Sequence, residues 1–474
     1  MNVPSLQFLA FCALVAALLA ASASGKWRRA ILLVANVAFL ATFAQHVTSL
    51  VPFAGFLAAG YVAMLVADRH RGKRIGLVAI LTILVVGFCW LKRYVFFPDW
   101  MLLPNVFVTV GLSYAFFRVV SLVVDAYGGV LPGRVGVAAY LNYTINFTSF
   151  VAGPIQMYPQ FLRNEVEAPA PLDAPIAARA VERIVTGFFK VTVLSPVLFY
   201  AQERAVAAAA STLSPLASIA DAVLILAIYP IYLYVNFSGY TDAVIGAARF
   251  LRLELPENFN RPFASRGCIE FWGRWHMSLS NWFKTYVYSP LLLGLMRRFP
   301  QRGADLLLGV VAYFVTFFLV GVWHGQTVMF FILGVLCGGG VSLNKLFELT
   351  MVRRYGRTQY QALCSGALFE ALSNGLTYLW FAVTLTFSWM SWQQLADLAA
   401  RFGVATLAGA AVALVLVTAA SYGLVRLNAG VALARAIAAP PYVRQAWYAA
   451  LATIVVSTAV LLNAPAPHIV YKAF

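Results

Sequence analysis

The stretch PENFNRPFASRGCIEFWGRWHMSLSNWFKTYVYSP, residues 256–290, is a polar island in an otherwise apolar chain. A second stretch, GVWHG at residues 321–325, places one histidine at the end of an apolar run. Polar and ionisable side chains are costly inside a membrane protein, so their presence is by default a functional hypothesis. We therefore expect His276 and His324 to face one site that the surrounding helices hold within a bilayer.

The composition of the chain indicates a membrane protein. Hydrophobic residues make up 62% of the 474 residues and charged residues only 11%, which is outside the usual range of soluble domains. Many runs of about 20 apolar residues follow one another, and each is long enough to span the hydrocarbon core of a bilayer. The sequence therefore predicts an all-α, polytopic membrane protein with about eleven to twelve transmembrane helices, plus re-entrant or interfacial helices.

The distribution of positive charge predicts an orientation. The net charge is +17, which the bias of Lys and Arg toward cytoplasmic loops explains. Attraction of an anionic ligand, such as a coenzyme phosphate or an acidic polymer, is the alternative. The basic cluster at 26–29 follows the apolar residues 4–24 instead of preceding them. A signal peptide has the opposite order, so we expect a retained first helix with an extracytoplasmic N-terminus.

The polar island divides into two parts. Pro256 and Pro262 cannot both lie inside one helix, so we predict a loop of fixed geometry that presents Asn258 and Arg261. From 266 to 288, aromatic side chains recur at steps of three and four, which predicts one amphipathic helix. Such a helix suits the membrane interface, and His276 could then be an incidental hydrogen-bonded side chain.

Two neighbours of His276 favour a binding site instead. Arg274 and Trp275 directly precede it, and an interfacial anchor does not need that combination. We therefore take both residues, with Asn258 and Arg261, as candidate substrate-binding residues.

His324 is the stronger catalytic candidate. Its neighbours Gly321 and Gly325 allow close backbone approach and a break in the helix. A neutral imidazole in a dry site can act as a general base. The alternative is a histidine at a tight turn between two spans. We expect His324 to be a base buried at the helix break, with Trp323 beside the substrate and His276 as a supporting residue at the mouth of the site.

Two segments before the island are too polar to face lipid along their whole length. Residues 217–248 contain Ser238 and Asp242, so this span either kinks at Pro230 or lines the interior with these side chains. Residues 136–152 end in a polar stretch before a Gly-Pro pair. Here we expect a broken or re-entrant segment, because loosened backbone is tolerated where it lines a cavity.

Several chemistries are not supported by the sequence. It has no GxSxG nucleophile elbow, no HExxH or paired cysteines for zinc, and no Walker A or dinucleotide fingerprint. The glycine run at 338–340 lies within an apolar span, where it predicts close helix packing. We predict no metal site, no bound cofactor and no nucleic-acid partner. The remaining chemistry is base-assisted group transfer, in which a histidine takes the proton from a hydroxyl that attacks an activated acyl carbonyl.

Three ordered stretches resemble the membrane-bound O-acyltransferase family, in particular its bacterial branch that acylates cell-surface polymers. They are NFSGYTDAVIGAARFLRLELPENFNRPF (236–263), EFWGRWHMSLSNWFKTYVYSPL (270–291) and FLVGVWHG (318–325). Two further stretches, 113–129 and 151–161, are similar to weaker family patterns. By this resemblance His324 matches the family's catalytic histidine, and His276 matches its second histidine motif.

The resemblance also implies a fold, a location and a reaction. The implied fold is a ring of helices around a funnel, forming a single domain with N-terminal helices (1–104), a catalytic core (105–345) and C-terminal helices (346–474). The implied protein crosses the plasma (inner) membrane several times. It would move an acyl group from a cytoplasmic donor such as acetyl-CoA or an acyl carrier protein thioester, and the leading hypothesis is that this group is acetyl. The acceptor would be an extracytoplasmic polysaccharide or a partner acyltransferase.

Two alternatives to this reaction stay open. The first is D-alanyl transfer from a carrier protein toward a teichoic-type polymer, with which both histidine motifs are compatible. The second belongs to another class and is a transporter or flippase of an acyl group or a lipid-linked sugar. Recognisable paired halves, which many transporters have, are not evident in the sequence.

Overall fold

The computed structural model describes residues 1–103, 108–164, 171–212, 214–300, 304–438 and 440–462. Within these ranges the regular secondary structure is helical, without a strand. The α-helices are α1 (Leu6–Ala20), α2 (Gly25–Ala41), α3 (Val51–Arg69), α4 (Arg74–Leu91), α5 (Leu112–Tyr127), α6 (Val137–Thr144), α7 (Tyr158–Leu162), α8 (Ala174–Phe189), α9 (Ser195–Ala209), α10 (Pro215–Phe250), α11 (Cys268–Trp272), α12 (Met277–Phe283), α13 (Ser289–Arg298), α14 (Ala304–Trp323), α15 (Val328–Tyr355), α16 (Arg357–Cys364), α17 (Ala367–Trp389), α18 (Trp392–Ala438) and α19 (Pro441–Leu462).

The predicted all-α, polytopic class is confirmed. Among the described residues, seven helical segments are long and apolar enough to cross a membrane. They are Val47–Arg69, Arg74–Leu91, Ala174–Ala209, Pro215–Phe250, Leu306–Trp323, Val328–Tyr355 and Trp392–Arg426. The larger predicted number of crossings, like the orientation of the N-terminus, stays a prediction.

The chain forms two compact units, which we describe separately. The N-terminal unit contains Met1–Val191 and Phe237–Glu257. The C-terminal unit contains Thr192–Asn236 and Asn258–Asn463. The division that we predicted, at residues 104 and 345, stays a prediction.

In the N-terminal unit, the broken segment predicted within residues 136–152 is confirmed. α6 ends at Thr144, and the backbone continues through a short 3-10 turn at Phe147–Ser149. The buried Arg118 guanidinium holds this break, because it donates to the carbonyl oxygens of Thr144 (3.0 Å) and Ser149 (2.8 Å). Backbone groups released from a helix are thereby satisfied inside the protein, as an apolar environment requires.

In the C-terminal unit, α14 and α15 form a closely packed hairpin. A Cβ atom added to Gly321 would lie 2.2 Å from the Cα atom of Gly334, and one added to Gly338 would lie 2.6 Å from the Phe314 carbonyl oxygen. Glycine is therefore required at both contacts, because no larger side chain leaves room for the facing backbone. The close packing that we predicted from the glycines at 338–340 is confirmed at Gly338.

The prediction of one continuous helix over 266–288 is wrong. The segment contains two short helices, α11 and α12, which are followed by a π-helical turn at Lys284–Tyr288. The break lies at His276, whose φ of 45° and ψ of 50° are left-handed. A non-glycine residue rarely adopts this conformation. Aromatic periodicity shows which face of a segment is apolar, but it does not show whether the backbone is continuous.

Candidate functional site

The backbone around His276 is fixed by the loop that precedes it. The amide of Met277 donates to the carbonyl oxygen of Asn258 (2.9 Å), and the amide of Asn260 donates to the carbonyl oxygen of Arg274 (2.9 Å). His276 therefore lies in a segment that is bonded on both sides to the loop. This agrees with the fixed loop geometry that we predicted from the two prolines.

Asn258 caps helix α12 from outside that helix. His276 occupies the N-cap position but makes no side-chain capping bond. Instead the Asn258 carboxamide oxygen accepts from the Ser278 amide (3.2 Å) and the Ser278 hydroxyl (2.6 Å). Asn258 is fully buried, and its Nδ2 has no hydrogen-bond partner among the described residues. The structure thus gives Asn258, which we predicted to bind substrate, a positioning contact next to His276.

Trp275 lies in an aromatic cluster. Its ring stacks on Phe271 (5.6 Å between centroids) and meets the edges of Phe381 (4.9 Å) and Phe259 (5.1 Å). Only 2% of Trp275 is exposed. The cluster excludes water from the polypeptide beside His276, and it holds the break in place by packing.

Two of the three arginines of the polar island, Arg261 and Arg274, were predicted to bind substrate, and they have different surroundings. Arg274 donates to the Glu270 carboxylate from Nη2 (2.8 Å) and from Nε (3.1 Å), so its charge is already matched. Arg261 is exposed and has a left-handed φ of 47°. The substrate-binding roles predicted for both residues stay predictions, and Arg261 is the more accessible of the two.

His324 lies in the turn that directly follows α14. Its amide donates to the Gly321 carbonyl oxygen (3.1 Å), and its ring lies 4.7 Å from that of Trp323, measured between centroids. A Cβ atom on Gly325 would lie 2.1 Å from the Phe330 ring. The two glycines that flank His324 thus allow the backbone to lie directly against Gly334 and the Phe330 ring.

The two histidines lie close enough for their charges to interact. Burial, and then the nearby His324, place the pKa of His276 well below its ordinary value. Burial lowers the pKa of His324 to about 3. Both residues lie outside the seven candidate spans. Each imidazole is therefore neutral near pH 7, which is the form that can accept a proton.

Burial of the two histidines is the reverse of what we expected. His276 is fully buried, whereas His324 is only partly buried. His276, which we placed at the mouth of the site, is thus enclosed by the aromatic cluster and the loop. His324 is the more accessible imidazole.

Ser238 and Asp242 belong to the N-terminal unit, and their part in the site stays a prediction. Both lie on α10, which runs through Pro230 without interruption. The Asp242 carboxylate accepts from Arg183 Nε (3.0 Å) and Lys190 Nζ (2.7 Å). The charge of Asp242 is therefore matched within its own unit. Ser238, four positions earlier on the same helix, is buried.

Sequence reasoning missed two polar residues of α17. Asn374 Nδ2 donates to the carbonyl oxygens of Phe263 (2.7 Å) and Ser265 (2.8 Å). The buried Glu370 carboxylate accepts from Arg266 Nη1 (2.6 Å). Together they fix the segment between the loop and α11. The signal was present, because an acidic residue and an amide four positions apart in an apolar span call for buried partners.

A groove of about 800 Å³ opens in the C-terminal unit beside α11. Arg266, Cys268 and Glu270 line one side of it, and residues of α15, α16 and α17 line the remainder. Trp380 and Gly340 lie in its wall at mid-helix positions. Within the described ranges, no group of three or more His, Cys, Asp or Glu side chains is arranged to hold a metal ion.

Comparison with known proteins identifies the family. The model of the membrane-bound O-acyltransferase family matches residues 120–370, which is more than half of the chain. The chain therefore belongs to this family. The matched region includes both histidines, and it ends at Glu370 in α17.

Curated relatives fall into two groups with different names. A teichoic acid D-alanyltransferase of Bacillus subtilis is 30% identical over 235 residues, which are 49% of this chain and 57% of the relative. A probable alginate O-acetylase of Pseudomonas syringae pv. tomato is 29% identical over 247 residues, 52% of this chain and 44% of the relative. A probable alginate O-acetylase of Pseudomonas aeruginosa is 26% identical over 300 residues, which are 61% of this chain and 54% of the relative. The chain spans about half the length of the curated relatives it matches.

Proposed function

We propose that this member of the membrane-bound O-acyltransferase family transfers an acyl group, acetyl in the leading case, from a cytoplasmic thioester to a hydroxyl. The acceptor is an extracytoplasmic polysaccharide or a partner acyltransferase. The observation that carries the proposal is the pair of neutral histidines. They are 48 positions apart in the sequence, yet His324 lies close enough to lower the pKa of His276, and Trp323 and Trp275 directly precede the two histidines.

The proposed reaction needs one base and one activated carbonyl. His324, as the accessible imidazole, takes the proton from the acceptor hydroxyl while the hydroxyl oxygen forms a bond to the thioester carbonyl carbon. The tetrahedral intermediate then breaks its carbon–sulfur bond. The departing thiolate takes the proton back from the His324 imidazolium, so an ester and a free thiol are formed. His276 is buried behind this step and positions His324.

The groove beside α11 is suited to the donor. Its volume of about 800 Å³ is within the range of pockets that enclose a small ligand. Its wall contains apolar side chains as well as Arg266, Asn344 and Gln361. A thioester arm, with alternating apolar and amide groups, fits such a lining. The donor is acetyl-CoA or the thioester of an acyl carrier protein.

D-alanyl transfer is the second candidate. It is favoured by the relative named as a teichoic acid D-alanyltransferase, which matches about as much of this chain as the alginate O-acetylases do, 49% against 52%. The chemistry at His324 would be the same, because the donor is again a thioester. The two candidates differ in the amino group of the acyl chain, for which a donor site must provide a partner or water.

The test is an acyl-transfer assay with the purified chain in lipid nanodiscs. Radiolabelled acetyl-CoA, or a carrier protein loaded with acetyl or D-alanyl, is supplied with candidate polymers, and label on the polymer and free thiol are both measured. We expect His324→Ala to lose about a hundredfold or more of the transfer rate, because general-base catalysis contributes that much. His70→Ala is the matched control, since His70 is exposed in a loop and should leave the rate unchanged.

Each outcome decides between the candidates. Equal transfer by wild type and His324→Ala would show that His324 is not the base. A preference for the D-alanyl donor would select the second candidate. Transport of labelled substrate across proteoliposomes without any consumption of thioester would favour a transporter and overturn the proposal.

A further inference from the structure

A basic pocket in the N-terminal unit has no part in the proposed reaction. It has a volume of about 600 Å³ and lies between one face of α2 and the start of α6. Lys26, Arg29 and Arg134 contribute its charged groups, and there is no acidic side chain in its lining. In the described part of the chain, none of these three side chains forms an ion pair with a carboxylate.

Three like charges around one cavity repel one another, which favours the binding of an anion between them. The helix ends increase this effect. Lys26 and Arg29 lie in the first turns of α2, where the helix dipole is also positive. The starts of α2 and α6 both lack a side-chain capping bond, so their first backbone amides can still donate hydrogen bonds to a bound anion. An anion in the pocket would offset both the repulsion among the three basic side chains and the positive charge of the helix ends.

The pocket walls are fixed by buried polar contacts and not only by apolar packing. Asn142 Nδ2, on α6, donates to the carbonyl oxygen of Arg29 (3.0 Å). Asn36 Nδ2, on α2, donates to Asn142 Oδ1 (3.1 Å). Nη2 of the buried Arg28 donates to the carbonyl oxygen of Leu251 (2.9 Å) and secures the same helix from its other face. These contacts hold Arg29 and the start of α6 at a set separation.

The remaining lining indicates which anion fits. Apolar side chains at Ala30, Leu33, Ala138 and Leu162 adjoin the basic groups. The pocket is thus cationic at one end and apolar along the side of α2. Trp27 is 38% exposed at the start of the same helix, and tryptophan is enriched at the level of lipid headgroups. Basic pockets between helices on the cytoplasmic side of a membrane protein bind anionic lipid headgroups.

We propose that the pocket formed by Lys26, Arg29 and Arg134 binds the phosphate group of an anionic phospholipid, with the lipid's glycerol and acyl region against the apolar face of α2. The shared chemistry is a phosphate ester, which a soluble nucleotide such as the 3′-phosphate end of coenzyme A also carries. The apolar lining favours the lipid as the source. This site does not depend on the acyl-transfer chemistry at His324.

The test measures lipid binding to the full chain by native mass spectrometry. The purified protein is mixed with equal amounts of phosphatidylglycerol and phosphatidylcholine, and the ratio of bound lipids is compared among variants. Each basic side chain near an anionic lipid contributes roughly fivefold in affinity. The Lys26→Gln/Arg29→Gln/Arg134→Gln variant should therefore lose its preference for phosphatidylglycerol by on the order of a hundredfold.

Two controls separate the pocket from net charge and from misfolding. Arg353→Gln/Arg354→Gln/Arg357→Gln removes the same charge from exposed positions in the other unit and should keep the preference within about twofold. Lys26→Arg/Arg29→Lys/Arg134→Lys keeps the charge and should also keep the preference. A loss in either control would overturn the proposal, as would an unchanged preference in the triple glutamine variant.

A further arm identifies the source of the phosphate. Adenosine 3′,5′-bisphosphate is added at increasing concentration to the protein with phosphatidylglycerol bound. Failure to displace the lipid supports the phospholipid. Displacement at low concentration, lost in the triple glutamine variant, would assign the pocket to a soluble nucleotide phosphate and overturn the lipid assignment.

Discussion

The two histidines are held by opposite kinds of structure. The region 256–290 fixes His276 by hydrogen bonds, from the loop backbone and from the buried Asn258 side chain. The α14–α15 hairpin fixes His324 by contact between glycines, where Gly321 meets Gly334. The first region relies on hydrogen bonds between buried polar groups, which are strong where the surroundings are apolar. The second relies on the absence of side chains.

This difference explains why the two imidazoles are not equivalent. Hydrogen bonds and the aromatic cluster enclose His276 completely, so a substrate hydroxyl cannot reach it without rearrangement. The tight hairpin leaves His324 at a turn, where it is partly accessible. A general base must reach the proton that it takes and must be held in place by its neighbours, and this arrangement is suited to both needs.

The largest expected effect comes from changing each imidazole in turn. His324→Gln should lower kcat/KM by about 10³-fold, because it removes the base. His276→Gln should lower it by roughly tenfold, because it disturbs only the positioning of the base. The measurement is steady-state acyl transfer, with circular dichroism and monodispersity as folding controls. Equal losses in the two variants would contradict the unequal roles assigned here.

The next effect is on stability and tests the glycine packing of the hairpin. Gly321→Ala should destabilise the protein by about 1–3 kcal/mol, because the added methyl group overlaps Gly334. Gly339→Ala is the matched control on α15, since a Cβ atom there meets nothing within 4 Å. It should be neutral or stabilising by about 0.5–1 kcal/mol, because alanine favours the helix. Thermal unfolding in detergent measures both. The packing argument fails if the two substitutions have the same effect.

The parts of the fold that depend on local sequence could be predicted. Long apolar runs predicted the helices, and the glycines at 338–340 predicted a close helix contact. The break after α6 was also predictable, because amide and hydroxyl side chains in an apolar run need interior partners. In each case the deciding groups are neighbours in the sequence.

The parts that depend on distant partners could not be predicted. The left-handed backbone at His276 is stabilised by Asn258, whose side chain caps α12 from 20 positions away in the chain. The pattern of aromatic residues contains no sign of this bond. Likewise Asp242 is matched by Arg183 and Lys190, more than 50 positions earlier, and single-sequence patterns cannot pair such residues.

A smaller effect is expected from the cap that holds His276. Asn258→Ala removes the acceptor for the Ser278 amide and hydroxyl, so it should destabilise the protein by about 1 kcal/mol and reduce acyl transfer several-fold. Asn258→Asp keeps an oxygen at the same place and should retain more of the activity. Ser278→Ala removes only the hydroxyl bond and should have the weaker effect of the two alanine variants. If Asn258→Ala leaves transfer unchanged, the loop does not position His276.

The smallest effect is on the pH profile, where a near-absence of change is expected. A histidine with its ordinary pKa near 6.5 would lose about tenfold of its neutral form between pH 7.5 and 5.5. Burial lowers the pKa of His324 to about 3, so kcat/KM, which reports the free enzyme, should change by less than about twofold over that interval.

The free energy of unfolding should respond differently to pH. The unfolded histidine binds a proton below about pH 6.5 and the folded one does not, so stability is present above pH 6.5 and is lost as the pH falls toward 3.

The same profile separates the two regions once more. The pKa of His324 is lowered by burial alone, whereas that of His276 is lowered by burial and by His324. His276→Gln should therefore leave the pH dependence of the remaining activity flat, because it does not expose His324 to water. A profile in His276→Gln that falls about tenfold toward pH 5.5 would mean that the hydrogen-bonded region, and not the glycine hairpin, keeps His324 desolvated. In that case both regions together would keep His324 desolvated, and the contrast between them would not hold.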